Sequence, residues 1–336
     1  MKKTYIIAEV GPNHQGSVKK ALKYIKKLSR IGVNAVKFQI GVAQEHYSKE
    51  SFKPKYQIKN SKSKSIISEA EKRLLNLSDH IKLYKECKKN KVDYICSAFD
   101  LKSLKFLYKN TKFPFFKIPS GEILSLDTLN FISKKNIPII LSTGMASLND
   151  IKKTIKFLNR KRKKKIHLLH CVSDYPTNNK NLNLNFIKNF KKIFNYPVGL
   201  SDHSLGFLAP IIAVSLGATI IEKHVTFNKN AKGPDHKASL TINEFSSMIK
   251  LVRSTEEILG KKEKILSKSE KQNALAVRKS CVSSKDIQKG EKISKKSICF
   301  KRPGTGISPF SYFKFMNKKS KKFIPQDTVL KLNNFK

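Results

Sequence analysis

The sequence has no stretch approaching 18 consecutive apolar residues, which excludes a membrane-spanning helix. The apolar run after the basic start MKKTYIIAEVG breaks at Glu9, too early for a signal-peptide core, and reads as a first strand. CxxC spacing is absent among the five cysteines (Cys87, Cys96, Cys171, Cys281, Cys299), so neither a disulfide framework nor a zinc ribbon is indicated. A reduced, cytoplasmic protein is expected. Acidic residues are few: 24 Asp and Glu against 69 Lys and Arg, a formal net charge of +45. Arginine is also scarce, with seven (Arg30, Arg73, Arg160, Arg162, Arg253, Arg278, Arg302) among those 69 basic residues. Proteins that read phosphates or base edges favour the bidentate arginine fork. A lysine excess spread as in KKALKYIKK and KLYKECKKNK therefore reads as solvated helix faces, with no nucleic-acid partner. The densest run, RKRKKK at 160–165, precedes a strand, on the side opposite the expected site.

With 39% hydrophobic residues in 336, the chain can bury a sizeable core and suits one large domain plus a smaller one. Short apolar runs at 4–9, 34–39, 92–99, 115–120, 137–143, 166–172, 196–201 and 219–224 alternate with amphipathic helical patterns. Examples are SVKKALKYIKKLSRIG and the Ser-capped SLNDIKKTIKFLN. Eight strands alternating with helices argue for a parallel sheet closed into a (β/α)8 TIM barrel. The spacing from Glu9 to His224 averages about 31 residues per repeat, normal for that fold. The widest gap holds the polar stretch 43–70, expected as a long loop on the catalytic face. Residues 1–262 form the expected barrel domain, 263–275 a charged linker, and 276–336 a small, mostly-β domain with Gly/Pro turns.

In such a barrel, chemistry sits at the C-terminal strand ends. Polar groups concentrate there in register: Glu9, Lys37 with Gln39, Ser97, Lys117 with Ser120 and Glu122, Ser142 with Thr143, His170 through Tyr175, Ser201-Asp202-His203 and Glu222-Lys223-His224. Two imidazoles, His203 and His224, end adjacent strands and form half of a divalent metal site, with carboxylate and water to complete it. Lys37 and Lys117 with Ser97, Ser120, Ser142 and Ser201 offer ammonium charge and hydroxyl donors at one mouth, a mixture suited to a phosphate plus a carboxylate. Glu9 and Glu122 are the carboxylates available for acid–base work.

The stretches IIAEVGPNHQGS, VKFQ, FKIPSGE, IILSTGM, HCVSDYPT, GLSDHSLGFLAP, IEKHVTFNKNAKGPDHKASL and SSKDIQKGEKIS…KRPGTGI run in order along nearly the whole chain. Together they closely resemble the sialic acid synthase family, whose members end in an antifreeze-like (SAF) domain. The resemblance implies condensation of phosphoenolpyruvate with an N-acetylmannosamine-type sugar to a nine-carbon 2-keto acid. It implies a divalent metal at His203 and His224, Mn²⁺ first and Mg²⁺ or Co²⁺ as substitutes. It assigns Lys37, Ser97, Lys117, Ser120, Ser142 and Ser201 to phosphoenolpyruvate, and Glu9, Gln39, Tyr175 and Asp235 to the acceptor sugar. Glu122 matches an acid–base carboxylate. Arg302 matches an arginine that the SAF domain contributes across a domain-swapped homodimer.

Three departures stand out. The family's GVNHNG-type loop is GPNHQG here, its STPF is Cys96-Ser97-Ala98-Phe99, and NKKSKKF lacks the glycine of the usual LGKK. Stretch 43–70 carries no match, so any sugar contact from it is unassigned. N-acetylmannosamine is the acceptor read first. The alternative is a 2,4-diacetamido-2,4,6-trideoxyhexose, leading to legionaminic or pseudaminic acid.

Overall fold

The structure, a computed structural model, describes residues 3–54, 58 and 65–336. The chain divides into two compact units, Met1–Gly260 and Lys261–Lys336. In the first, β1 (Tyr5–Glu9), β2 (Ala35–Ile40), β3 (Asp93–Ala98), β4 (Phe116–Ile118), β5 (Ile139–Ser142), β6 (Ile166–Cys171), β7 (Val198–Asp202) and β8 (Ile220–Thr226) each pair with the next strand in chain order. All these pairs are parallel, and β1 also pairs with β8, closing the eight-strand barrel expected from the sequence.

The helices between the strands follow from local chemistry. In Val18–Arg30, Ser17 caps the first turn by accepting from Lys20 N, and Ala21, Tyr24, Ile25 and Leu28 recur at helical spacing to form the buried face. Reciprocal capping boxes, Ser147 with Asp150 and Thr241 with Glu244, start helices Leu148–Asn159 and Ile242–Leu259. Stretch 43–70 departs from the expected loop, because its described ends are helical, at Ala43–His46 and Ile66–Arg73. Ser65 caps the latter. Of that stretch, 55–57 and 59–64 lie outside the described residues.

Strand alternation divides the apolar residues into two sets. Ile6, Ala8, Val36, Phe38, Leu141, Leu168, Leu200 and Ile221 point outward into the layer beneath the helices. Ile7, Ala35, Ile95, Ile140, Leu169 and Ile220 point inward and fill the barrel with a separate apolar plug, extended by Tyr5 and Phe115. Gly199 belongs to the same interior layer. A Cβ there would lie 2.4 Å from the Ile220 carbonyl and 2.7 Å from Leu169 Cδ2, so the plug leaves room for no side chain.

The second unit has an antiparallel pair of strands, Ser280–Ser283 with Ile298–Lys301, and single bridges rather than long strands. Its own core is Cys281, Ile287, Ile293, Ile307, Phe315, Ile324, Leu330 and Phe335, with the rings of Phe315 and Phe335 stacked at 4.9 Å. Helix Lys268–Val277 lies largely within the stretch expected as a linker, and Ser267 and Glu270 cap it. No cysteine is in a disulfide. Among the described residues, no helix is long and apolar enough to cross a membrane.

His80 is sealed beneath the helix layer, with Nδ1 2.8 Å from the Tyr94 hydroxyl. Burial holds its imidazole down to about 3, from an ordinary 6.5. An unfolded chain takes up a proton near pH 6.5 that the folded protein refuses until far lower pH. This contribution to stability is therefore intact above pH 6.5 and is lost as pH falls toward 3, at about 1.4 kcal/mol per pH unit. His80→Gln is expected to flatten the acid limb of urea-midpoint measurements by about one proton. An unchanged slope would refute the sealed neutral imidazole.

Candidate active site

Two residues beyond the apolar plug, every strand turns polar on its inner face. The register sets Glu9 beside Lys37 and His224, Ser97 beside Lys117, and Ser201 beside both Cys171 and Glu222. Backbone pairing alone thus gathers side chains that are up to 215 residues apart in sequence, as Glu9 and His224 are. They floor a cavity of about 400 Å³ at the C-terminal mouth of the barrel.

The floor is a network of buried charges. Lys37 Nζ lies 2.9 Å from Glu9 Oε2 and 3.6 Å from Glu222 Oε1, and Lys117 Nζ lies 3.7 Å from the same Glu222 oxygen. Hydroxyls complete it. Lys117 donates to Ser142 Oγ at 2.7 Å, Lys37 to Ser97 Oγ at 3.4 Å, and Ser201 to Glu222 Oε1 at 3.0 Å. Gln39 donates to Glu9 Oε1 at 2.9 Å. Burial alone would push the Lys37 ammonium down, but Glu222 and Glu9 hold it above the usual lysine range. Burial does lower Lys117, against the pull of Glu222. Burial also raises Glu9 more than Lys37 lowers it, whereas in Glu222 the two lysines outweigh burial and keep the carboxylate ionised. Glu222 Oε2 has no hydrogen-bond partner despite full burial, a loose end facing the cavity.

Beside this floor stand the two histidines, ring centroids 5.5 Å apart, with the Tyr175 ring 4.0 Å from His203 and 5.7 Å from His224. His203 Nδ1 is 2.8 Å from the Val172 carbonyl, which fixes the proton there and leaves Nε2 as the lone-pair nitrogen. Burial drives His224 well below the ordinary imidazole value, so it stays neutral, and its buried Nδ1 has no hydrogen-bond partner. Asp235 Oδ2 lies 3.5 Å from that nitrogen, and burial lifts its carboxyl to about 6. Among the described residues no three His, Cys, Asp or Glu side chains form a ready metal cage. Two imidazoles, the neutral His224 with an orphaned nitrogen among them, still fit a divalent cation whose other positions are filled by oxygens of water or substrate.

Of the residues expected from sequence, Glu9, Lys37, Gln39, Ser97, Lys117, Ser120, Ser142, Tyr175, Ser201, His203, His224 and Asp235 all line this one cavity. Glu122 does not. It falls in the 3₁₀ turn Ser120–Glu122, where three residues per turn direct it away from Ser120. Its carboxyl accepts from Ser125 Oγ at 2.5 Å and lines a neighbouring recess with His46 and Asp100. Arg302 belongs to the second unit, on its exposed surface.

Sequence reasoning placed Glu222 among the polar strand ends but gave it no role, although it sits two residues before His224 on the same inward face of β8. Cys171, within the same strand-end set, was likewise given no role. Its Sγ accepts from Ser120 Oγ at 3.7 Å and lies 3.8 Å from His203 Nδ1. Tyr47 and Arg73 line the rim from flanking segments whose approach no local pattern could reveal.

Glu222→Gln keeps the shape of the side chain and strips the two lysines of their shared counter-charge. Urea denaturation is expected to show a loss of about 3–5 kcal/mol, typical of a buried ion pair with one partner removed. An unchanged midpoint would mean that the lysines are compensated elsewhere.

The chain matches the NeuB family over residues 24–264 and the SAF domain over residues 278–336. It is 40% identical over 334 residues to the N,N'-diacetyllegionaminic acid synthase of Campylobacter jejuni, spanning 98% of this chain and 100% of that one. With the pseudaminic acid synthase of the same organism, identity is 34% over 337 residues, 99% of this chain and 97% of the other. Among solved structures, the N-acetylneuraminic acid (sialic acid) synthetase of Leptospira borgpetersenii aligns with a TM-score of 0.73 at 29% identity, over 81% of this chain and 90% of that one. Barrel and terminal module thus agree with the resemblance carried by the sequence motifs, and the chain belongs to the NeuB family of sialic acid synthase-type proteins, with a C-terminal SAF domain.

Proposed function

We propose that the protein condenses phosphoenolpyruvate with a 2,4-diacetamido-2,4,6-trideoxyhexose, releasing phosphate and a nine-carbon 2-keto acid of the legionaminic type. The observation that carries this reading is the cavity floor: two buried ammonium groups framed by serine hydroxyls, directly beside a pair of histidines. Paired cations and hydroxyls suit a ligand bearing both phosphate and carboxylate. The 40% identity to a legionaminic acid synthase, over nearly the whole of both chains, favours the diacetamido acceptor over N-acetylmannosamine, the acceptor read first from the sequence.

In this reading Lys37, Lys117, Ser97, Ser120, Ser142 and Ser201 hold phosphoenolpyruvate, so that its C3 faces the acceptor aldehyde, and orientation lowers the barrel-bound barrier. The C3–C1 bond forms and the aldehyde oxygen gains a proton. Water adds at C2 and gives up one proton. As the C2–O bond to phosphate breaks, the new hydroxyl passes its second proton to the departing phosphate and becomes the ketone. Glu9, with its raised carboxyl bonded to Gln39, supplies the proton at the sugar end. Glu222 stays ionised and keeps the lysine pair charged. Tyr175 and Asp235 flank the acceptor. Glu122, turned to the neighbouring recess, takes no step. His203 and His224 would hold a divalent cation, Mn²⁺ by the family resemblance, which would supply Lewis-acid polarisation of the aldehyde. In a homodimer, Arg302 of the partner subunit covers the mouth and reads an N-acyl group.

Phosphate release with phosphoenolpyruvate, Mn²⁺ and a panel of three acceptors tests the assignment. The legionaminic-type diacetamido sugar is expected to give a kcat/KM at least about tenfold above its pseudaminic-type isomer and N-acetylmannosamine, the scale of one good polar contact. Preference for N-acetylmannosamine would return the first acceptor. His203→Ala and His224→Ala are each expected to lower kcat on the order of 10²-fold or more, and full metal-dependent turnover in both would remove the histidines from the site.

A further inference from the structure

Behind the histidine pair, on the outer side of the barrel wall, lies an ion pair that the proposed chemistry does not use. Lys223 Nζ is 2.5 Å from Asp202 Oδ2, and both side chains are 0% exposed. Asp202 and Lys223 are register partners across β7 and β8. One precedes His203 and the other precedes His224, so strand alternation sends the charges outward and the imidazoles inward. The clamp extends past the strand end. Asp202 Oδ1 accepts from Ser204 N at 2.9 Å and from Ser204 Oγ at 2.7 Å, while Lys223 Nζ donates to the Ser204 carbonyl at 2.7 Å. Both chain neighbours of His203 are therefore tied to the residue before His224.

Stability alone does not account for such a pair. Taking two charges out of water costs about as much as their attraction returns, and apolar replacements of equal volume are often neutral or stabilising. Two residues earlier on the same strands and the same face, Leu200 and Ile221 fill that layer with hydrocarbon. What a directional, fully satisfied ion pair adds over hydrocarbon is a fixed distance between the two strand ends.

We propose that Asp202 and Lys223 are positioning residues that set the separation and orientation of His203 and His224 for joint capture of a divalent cation. This rests on the metal-binding reading of the two histidines. The proposal is distinct from a role in substrate contact, because neither side chain reaches the cavity.

The test uses the metal-free full-length chain, with Mn²⁺ binding followed by calorimetry and histidine ring signals by ¹H–¹⁵N NMR. The double variant Asp202→Leu/Lys223→Met is expected to melt close to the native protein yet bind Mn²⁺ about 10–100-fold more weakly, the usual effect of removing support behind metal ligands. Its His203 and His224 ring signals should shift even without metal. Lys223→Arg, which keeps the pair, should retain affinity and ring signals, and Asp202→Asn provides the same readout if the double variant does not fold. Native Mn²⁺ affinity and unmoved ring signals in the pair-less variant would overturn the proposal. His203→Ala separates the two ideas. If it binds Mn²⁺ as the native chain does, the metal reading fails, and ring signals alone then decide whether the pair positions the histidines.

Discussion

Everything at the mouth of this barrel depends on keeping two lysines and two glutamates buried together. Glu222 touches both Lys37 and Lys117 through one oxygen, and Glu9 secures Lys37 from the other side. Alone, any one of these groups would be driven to neutrality by the loss of water. Together they hold two ammonium groups ready where a phosphate and a carboxylate can displace part of the internal pairing. The site stores cationic charge without exposing it.

The apolar plug makes that storage workable. Ile7, Ala35, Ile95, Ile140, Leu169 and Ile220 close the barrel from below, so the charged layer meets solvent or ligand only from the cavity. Outside the wall, hydrocarbon from strands and helices dominates, and the polar groups buried there are matched, as Asp202 is to Lys223 and His80 to Tyr94. The barrel thus separates two jobs by one-residue alternation: outward residues fix strand spacing, and inward residues present chemistry at that spacing.

The charge of +45 divides along the same line. Lys19, Lys20, Lys23, Lys26 and Lys27 are exposed on a single helix and leave its buried stripe untouched. Lys37, Lys117 and Lys223 are buried, each beside a named carboxylate. A broad positive field around the barrel favours the approach of an anionic substrate and weakens with salt. Only the buried lysines carry positional information.

By itself the sequence determined the eight-strand order, the helices between them and the layer of polar strand ends, because period-two and period-3.6 patterns are local properties of the chain. Twelve of the residues it singled out meet in one cavity, eight of them on strands, where parity decides which side a residue faces once the barrel closes. Tertiary structure alone decided the rest. Glu122 turned aside because a 3₁₀ turn rotates successive residues, which composition does not reveal. Glu222 became the hub, and Arg73 and Tyr47 reached the rim, through spatial approach between segments far apart in sequence. Pairing Asp202 with Lys223 required the β7–β8 register. Burial, register and through-space charge are relations between distant residues, and no window along the chain contains both partners.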